Sequence, residues 1–395
     1  MVDGKEFFSD DPKVASKNLP AKMIDKLQVL DKKSDMAQMT GFDDGEEETV
    51  INLTVKPGMK QGWFGNAYGG YGSKDRYEGN AMVNRFVNND QITFMGGANN
   101  TNNMGFSDLA STMFSGMGGG GGRRGGFGAG SGITSSGNAG LNFSKEFKPD
   151  KLTLGGNTRY SHSDNDARSK SDRQNILPGD SSSYDNSEAM SRTKSDNFGV
   201  DFRLEWKPDT MTQLIFRPSF SFSHSMNDNF SDATTLDNER DTVNTNKSSN
   251  YSESNGYNLN ASIDFSRKLN NKGRVFSATL SGGNSDSYSD GMNRSDIVYF
   301  NQTDALKNSI IDQRSRYDNK GFNYRAYVSW VEPIGHNNFI QATYSISQRK
   351  QEALKNVYNQ DADGIYNVLD SAYSQSYRNN FISQRASLSF KSQRA

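Results

Sequence analysis

The sequence predicts a mainly β chain: about twelve strands of a larger antiparallel transmembrane β-barrel behind a small α+β unit. Three observations carry this reading. The first is alternation. Phe198, Val200, Phe202, Leu204 and Trp206 interleave with Asn197, Gly199, Asp201, Arg203 and Glu205. Leu214, Phe216, Phe220 and Phe222 then interleave with Gln213, Arg217, Ser219 and Ser221, and the stretches 257–266 and 276–281 repeat the pattern. A strand turns successive side chains to opposite faces, so each stretch has one apolar and one polar face. The second is composition. The chain has 395 residues, net charge −1 and only 33% hydrophobic residues, with a mean hydropathy of −0.83. A soluble domain carries about 45–50% apolar residues, so a large dry core is excluded. Disorder or a barrel with a wet interior remains, and disorder would not hold aromatics at one parity. The third is that connections alternate in length. Those at 148–150, 207–210, 269–273 and 335–337 are short, whereas 100–134, 164–190, 228–249, 289–315 and 353–373 are long. Short turns at one end and long loops at the other describe an outer-membrane barrel with its turns on the periplasmic side.

Taken in order, residues 1–56 form the α+β unit. Val2, Asp3, Gly4 and Lys5 read as a hairpin turn. Asp11 before Pro12 is an N-cap with proline at the first helical position, starting a short helix through Ala15, and Pro20 starts another. Residues 24–30 alternate as a strand, an acidic turn follows at 43–48, and 49–55 is a second strand. From Gly62 the strands are 62–72, 76–88, 91–99, 135–147, 151–163, 191–207, 211–227, 250–268, 274–288, 316–332, 338–352 and 374–391, within a barrel region 57–395. If odd strands run outward, Trp63, Trp206 and Trp330 all fall at the periplasmic interface on the apolar parity, with Phe143, Phe265, Phe276 and Phe390 at similar depth. The alternative, core aromatics of a β-sandwich, would bury too many polar inner positions.

There is no cysteine, so disulfides and thiolate chemistry are excluded. No run of 18 apolar residues marks a transmembrane helix. The first five residues contain no apolar secretory segment, and the last strand, through Leu388 and Phe390, lacks a following partner. The chain is therefore expected to be an internal fragment of a longer protein or a mis-started gene product.

A stretch near the start is more specific. Asn18-Leu19-Pro20-Ala21-Lys22-Met23-Ile24-Asp25-Lys26-Leu27-Gln28-Val29 leads to Asp31-Lys32-Lys33-Ser34-Asp35. Thr40-Gly41-Phe42-Asp43-Asp44-Gly45-Glu46, Thr49-Val50-Ile51-Asn52-Leu53-Thr54-Val55-Lys56 and Gly62-Trp63-Phe64-Gly65-Asn66 follow. Together they resemble the end of the plug and the first barrel strand of TonB-dependent receptor-like outer-membrane β-barrel proteins. The resemblance is specific over 1–72 and architectural beyond. It implies that 1–56 is the C-terminal part of a plug domain and 57–395 a partial barrel, in a family whose barrels have about 22 strands. It further implies a cell-outer-membrane location, contact with outer-membrane lipid, binding and uptake of a nutrient or other solute, and, in the full-length protein, TonB and a surface lipoprotein as partners. A TonB box, the first half of a plug and the second half of a barrel are not in this sequence.

No chemistry-bearing motif assigns a catalytic, cofactor or metal site, and no enzyme activity or nucleic-acid partner is expected. The glycine run 116–130, with Arg123 and Arg124, has no Gly-Lys-Ser/Thr ending and reads as an external loop; Met104, Met113 and Met117 belong to the same segment. Asn359, Asp361, Asp363 and Gly364, with Asp370, approach the spacing of a calcium loop, but position 12 is Asp and no helices flank it. A solvated hairpin tip explains Asp363 and Gly364 equally well. The acidic run 43–48 offers a cation or a periplasmic partner a place, or is a solvated turn. His162, His224 and His336 show no ligand spacing. Asp201, Arg203, Glu205, Asp264 and Arg325 have the inward parity and would line the lumen. Two further readings stand beside transport: a structural or surface-binding barrel without active transport, and a soluble all-β carbohydrate-binding or adhesion protein.

Overall fold

The computed structural model describes residues 1–4, 21–33, 37, 47–56, 58, 61–88, 90–102, 132–149, 151–176, 182–300, 308–335 and 338–392. A single 3-10 turn, Ala21–Met23, enters strand β1 (Ile24–Lys33), which pairs antiparallel with β2 (Glu47–Val55). The helix expected from Pro20 is thus one turn long, and the one expected at 11–15 lies outside the described residues. Val2 bridges Leu53 in parallel, and Asp3 and Gly4 turn away with φ of 48° and 76°.

All remaining strands join one antiparallel sheet of thirteen. In chain order they are β3 (Gln61–Gly72), β4 (Arg76–Val87), β5 (Asp90–Asn99), β6 (Ile133–Lys148), β7 (Leu152–Asn175) and β8 (Ser183–Trp206). Then come β9 (Thr212–Leu236), β10 (Thr242–Lys268), β11 (Val275–Tyr299), β12 (Ser309–Pro333), β13 (Asn338–Gln360), β14 (Tyr366–Leu369) and β15 (Gln375–Ser392). Each pairs with its chain neighbour, except that β14 and β15 both lie against β13. The thirteenth strand is the four-residue β14, inside the stretch expected to be a loop. Among the described residues β3 and β15 each have a partner on one side only, so the sheet is open between them.

The expected long loops need correction. Much of 164–190, 228–249, 289–315 and 353–373 is strand, and the connections shrink to 176–182, 237–241 and 300–308 plus the turns around β14. The pairing runs unbroken, as from Leu259 opposite Phe220 to Lys247 opposite Asp232. The alternation that marks a strand vanishes in these segments because both of their faces are polar. Backbone pairing needs no apolar face to continue. The short turns fall where expected. At the other end, Lys74 and Asp75 both take positive φ, 59° and 56°, in the three-residue turn between the paired Gly72 and Arg76.

Register sorts the sheet into two faces. Leu204, Phe216, Ile263, Leu280, Ala326 and Ile346 lie directly opposite one another from β8 to β13. Arg217, Ser262, Ser281, Arg325 and Ser347 form a neighbouring row on the opposite face. We call these the outer and inner faces. The outer face carries an apolar belt spanning residues 198–206 of β8, 214–222 of β9 and 257–265 of β10, close to the nine to eleven residues, roughly, that a tilted strand needs to cross a bilayer. Its members are exposed: Leu259 at 50%, Leu280 at 56% and Phe94 at 53%. Beyond it the outer face turns polar with Asp196, His224, Asn255, Tyr288 and Asp318 in one row.

Aromatic rings edge the belt on its turn side. Phe265 stands 6.3 Å from Phe276, and Phe276 stands 6.4 Å from Trp330. Trp63, Trp206 and Trp330 all lie on the outer face at the turn ends of their strands. The lower edge runs diagonally. Trp63 shares its row with Ile92, Phe143 and Phe202, whereas Trp206 shares the row of Leu214 and Val328, nearer the turns. Tilted strands in a barrel wall require such a stagger. Arg85 is the one charge set among Trp63 and Ile92, with its guanidinium 5.4 Å from the Trp63 ring centroid.

Candidate functional site

The inner face is where the N-terminal unit sits. Val2, Met23, Leu53 and Val55 bury themselves against Met82 and Phe86 of β4 and Met95 of β5, with Ile24, Ile51 and Phe64 packed around them. Met95 is 1% exposed and Met82 2%. The local sequence provides this seat. Met82 and Phe86 have the inner parity while Val83 and Val87 have the outer one, so β4 is apolar on both faces. A strand apolar at both parities is covered on both sides. The signal lies in the sequence, where Met82, Val83, Phe86 and Val87 put apolar residues at both parities.

Next to this seat the buried inner face is polar and hydrogen-bonded from strand to strand. Thr93 Oγ1 donates to Asn84 Oδ1 at 2.6 Å, and both residues are fully buried. Gln91 Nε2 donates to Asn142 Oδ1 at 3.4 Å, Asn142 Nδ2 to Asn157 Oδ1 at 2.5 Å, and Asn157 Nδ2 to Asp201 Oδ2 at 2.9 Å. The ladder ends on Arg159, whose guanidinium pairs with Asp201 and is buried. Each buried polar group would cost about 1–3 kcal/mol if left without a partner, so these contacts fix side-chain positions across five strands, β4 to β8. Arg159 was not among the expected lumen residues. Its inner parity on β7 was the available signal.

The charges expected on the inner face lie there and pair locally. Arg203 is 3.5 Å from Glu205, Lys207 is 2.7 Å from it, and Gln213 Nε2 donates to Glu205 at 2.9 Å. Arg217 pairs with Asp264, which also accepts from Thr279 Oγ1 at 2.7 Å. Arg325 lies over the Tyr327 ring at 5.9 Å. Between the N-terminal unit and β6 to β9 remains a cavity of about 830 Å³, lined by Asp31, Lys32 and Asn52 on one side and Asn157, Asp201 and Arg217 on the other. The unit therefore touches the sheet firmly at β3 to β5 and stands off it at β6 to β9. The cavity wall carries both signs of charge and many amide and hydroxyl groups, which suits water and polar solutes.

The other sequence candidates are placed apart from this surface. Asp361 closes the hairpin tip: its carboxylate accepts from the backbone N–H groups of Asp363 at 3.0 Å and Ile365 at 2.9 Å, and from Asn367 Nδ2 at 2.5 Å. Those donors hold its pKa below the ordinary carboxylate range, Ile365 N–H foremost. Asp370 accepts from Asn359 Nδ2 at 3.1 Å and Gln313 Nε2 at 3.2 Å. The two carboxylates thus serve a turn and a strand end. No group of three or more His, Cys, Asp or Glu placed to hold a metal exists among the described residues. His162 and His224 flank Asp196 in one outer row, His162 Nδ1 being 2.8 Å from Asp196 Oδ1 and His224 Nδ1 2.8 Å from Asn255 Oδ1. His336, the glycine run 116–130, Met104, Met113, Met117 and residues 43–46 lie outside the described residues, as do the side chains of Glu47 and Glu48.

No family model and no curated protein matches the chain. Solved structures similar to it include the siderophore receptor PiuA from Acinetobacter baumannii, at 12% identity and a TM-score of 0.43, covering 93% of this chain and 52% of that one. The ferric-catecholate import receptor Fiu from E. coli K12, in its open form, is 10% identical with a TM-score of 0.32, covering 92% of this chain and 70% of Fiu. BamA from Haemophilus ducreyi lacking POTRA domains 1–3 is 11% identical with a TM-score of 0.18, covering 93% and 75%. The chain spans about half the length of PiuA. Likenesses this distant say nothing of what the chain carries.

Proposed function

We propose that this chain is the plug end (1–56) and part of the barrel wall (57–395) of a TonB-dependent receptor-like protein of the cell outer membrane, and that its inner face binds a polar solute and passes it across that membrane. One observation supports this above the others: the N-terminal unit is seated on the inner face while the opposite face carries an exposed apolar belt of bilayer height. A wall with lipid on one side and a covered polar surface on the other is the arrangement of a gated barrel. The strands continue far beyond the belt, to Leu236 on β9 and Tyr299 on β11, which favours surface binding as a part of that role or as the whole of it. TonB and a surface lipoprotein are the partners this reading implies, and the role is not catalytic.

Two measurements test it. Trypsin added to intact cells carrying the full-length protein should cut after Arg240, in the connection 237–241, and spare Lys151 and Lys272 in the turns at the other end. Cleavage at the turns would overturn the orientation. Deleting 1–56 should admit large hydrophilic antibiotics to the cell. An unchanged sensitivity in cells that still insert the protein would overturn the plug assignment.

A further inference from the structure

The part of the wall beyond the belt has two chemically different faces. On the inner face Ser163, Ser195, Ser225, Ser254, Ser289 and Tyr317 lie directly opposite one another from β7 to β12. One residue along each strand, on the outer face, the matching row is Asp164, Lys194, Met226, Glu253, Asp290 and Arg316. The contrast is not confined to one row. Four successive inner rows, from the one through Asn197 to the one through Ser191, hold only Ser, Asn, Thr, Gly, Gln, Ala and Tyr across these six strands. The outer face at the same height is full of charges, joined in pairs such as Arg192 with Asp164 at 2.8 Å and Arg314 with Asp290 at 2.5 Å.

Solubility alone does not explain the difference, since both faces stand beyond the lipid and one is heavily charged. At about 4.8 Å between strands and about 6.7 Å between rows, the uncharged field measures roughly 24 by 20 Å. It has room for an oligomer. Its side chains are partly exposed and both donate and accept hydrogen bonds, as in Ser191 Oγ to Asn229 Oδ1 at 2.7 Å and Ser254 Oγ to Ser289 Oγ at 2.9 Å. Aromatic rings stand on the same face: Tyr317 within the field and Tyr377 on β15 in the Asn197 row are 39% and 52% exposed. A ligand that lies down here must exchange water for hydroxyl and amide partners, and within these six strands any charge on it loses hydration with no opposite charge to meet; the first charge beside the field is Lys355 on β13, opposite Tyr317. Rings with apolar faces and hydroxyl edges find both partners, the aromatic plane and the amide.

We infer that the inner face beyond the belt binds a neutral, polyhydroxylated oligomer, a carbohydrate chain without acidic or basic groups. This rests on the outer-membrane reading above and names the class of solute for that surface. The test uses outer-membrane vesicles from cells expressing the full-length protein, with fluorescent dextran, mannan, carboxymethyl-dextran, diethylaminoethyl-dextran and alginate of matched length as probes. At least one neutral polymer should bind at least tenfold tighter than both charged dextrans and alginate, with little change between low and high salt. A double variant, Ser225→Asp with Ser254→Asp, should weaken that binding tenfold or more, while Met226→Asp on the outer face leaves it within twofold. Tighter binding of a charged polymer, no binding of either neutral one, or equal effects of the inner and outer variants would each overturn the inference. Vesicle content and the trypsin pattern report separately whether the protein is inserted as proposed. An inserted protein that fails with neutral polymers sinks the ligand class alone.

Discussion

An arginine walked along β10 on the outer face should trace the depth of the lipid. The belt on this strand runs from Phe265 to Tyr257, so its midpoint is Ala261, opposite Pro218 and Gly282. Arginine at the midplane of a lipid-facing barrel wall costs about 2–4 kcal/mol, falling to about 0–1 kcal/mol at the interfaces. Ala261→Arg should therefore lower the folding equilibrium about 30- to 700-fold at about 1.4 kcal/mol per decade. Ile263→Arg and Leu259→Arg should cost less, and Asn255→Arg, beyond the belt, about nothing. Subtracting the matching alanine variants removes lost side-chain contact from the profile. The assay is urea unfolding of the full-length protein in lipid vesicles, read as the transition midpoint at constant slope. Asn258→Arg and Asn260→Arg point to the inner face and should show no such profile. A flat series at odd positions, or a maximum at even ones, would refute the assignment of faces.

Replacing Arg159 with Met should destabilise the protein by about 1–3 kcal/mol, below the usual cost of orphaning a fully buried charge because Asp201 is 32% exposed; adding Asp201→Asn should restore part of the loss, and urea midpoints of the four proteins decide. Leu53→Ala and Met82→Ala, across the seat of the N-terminal unit, should couple by about 0.5–3 kcal/mol in a double-mutant cycle, and strict additivity would show that the unit is not seated there. The hairpin tip at Asp361 should loosen in acid. Its folded pKa is lowered, so its contribution is present above the unfolded carboxylate range near pH 4 and is lost as pH falls through the lowered value. Amide exchange at Ile365 should rise in that window in the native protein and show no such step in Asp361→Ala.

Much of this was legible in the sequence, for a definite reason. Within the belt the two faces make opposite demands on adjacent residues, one apolar and one polar, so Phe202, Leu204 and Trp206 announce their face. The register then carries Leu204 to Phe216 and Ile263 as parity requires. Beyond the belt water touches both faces. Segments such as 164–175 and 228–236 lose the alternation and read as loops although they are strands. The seat of the N-terminal unit was missed for the opposite reason: Met82 and Phe86 add apolar residues to the inner parity, and that blurs the pattern instead of sharpening it. The ladder from Asn84 to Asp201 could not be read at all, because serine and asparagine are so common in this chain that no single one stands out before the strands are aligned.

Strand length has a consequence for how the wall assembles. From 223 to its end at Leu236, β9 stands clear of the belt for about 45 Å at about 3.3 Å per residue. Two-sided polar strands specify their pairing weakly, since a slip by one residue exchanges one hydrated face for another. Inside the belt the same slip would drive Asp264 and Arg217 into hydrocarbon. The two regions share continuous strands, so on the proposed outer-membrane reading the lipid acts as a clamp that sets the pairing of the segments standing in water. Zipping should therefore proceed outward from the bilayer. Before insertion these serine- and asparagine-rich arms have many nearly equivalent alignments, and the membrane selects one of them.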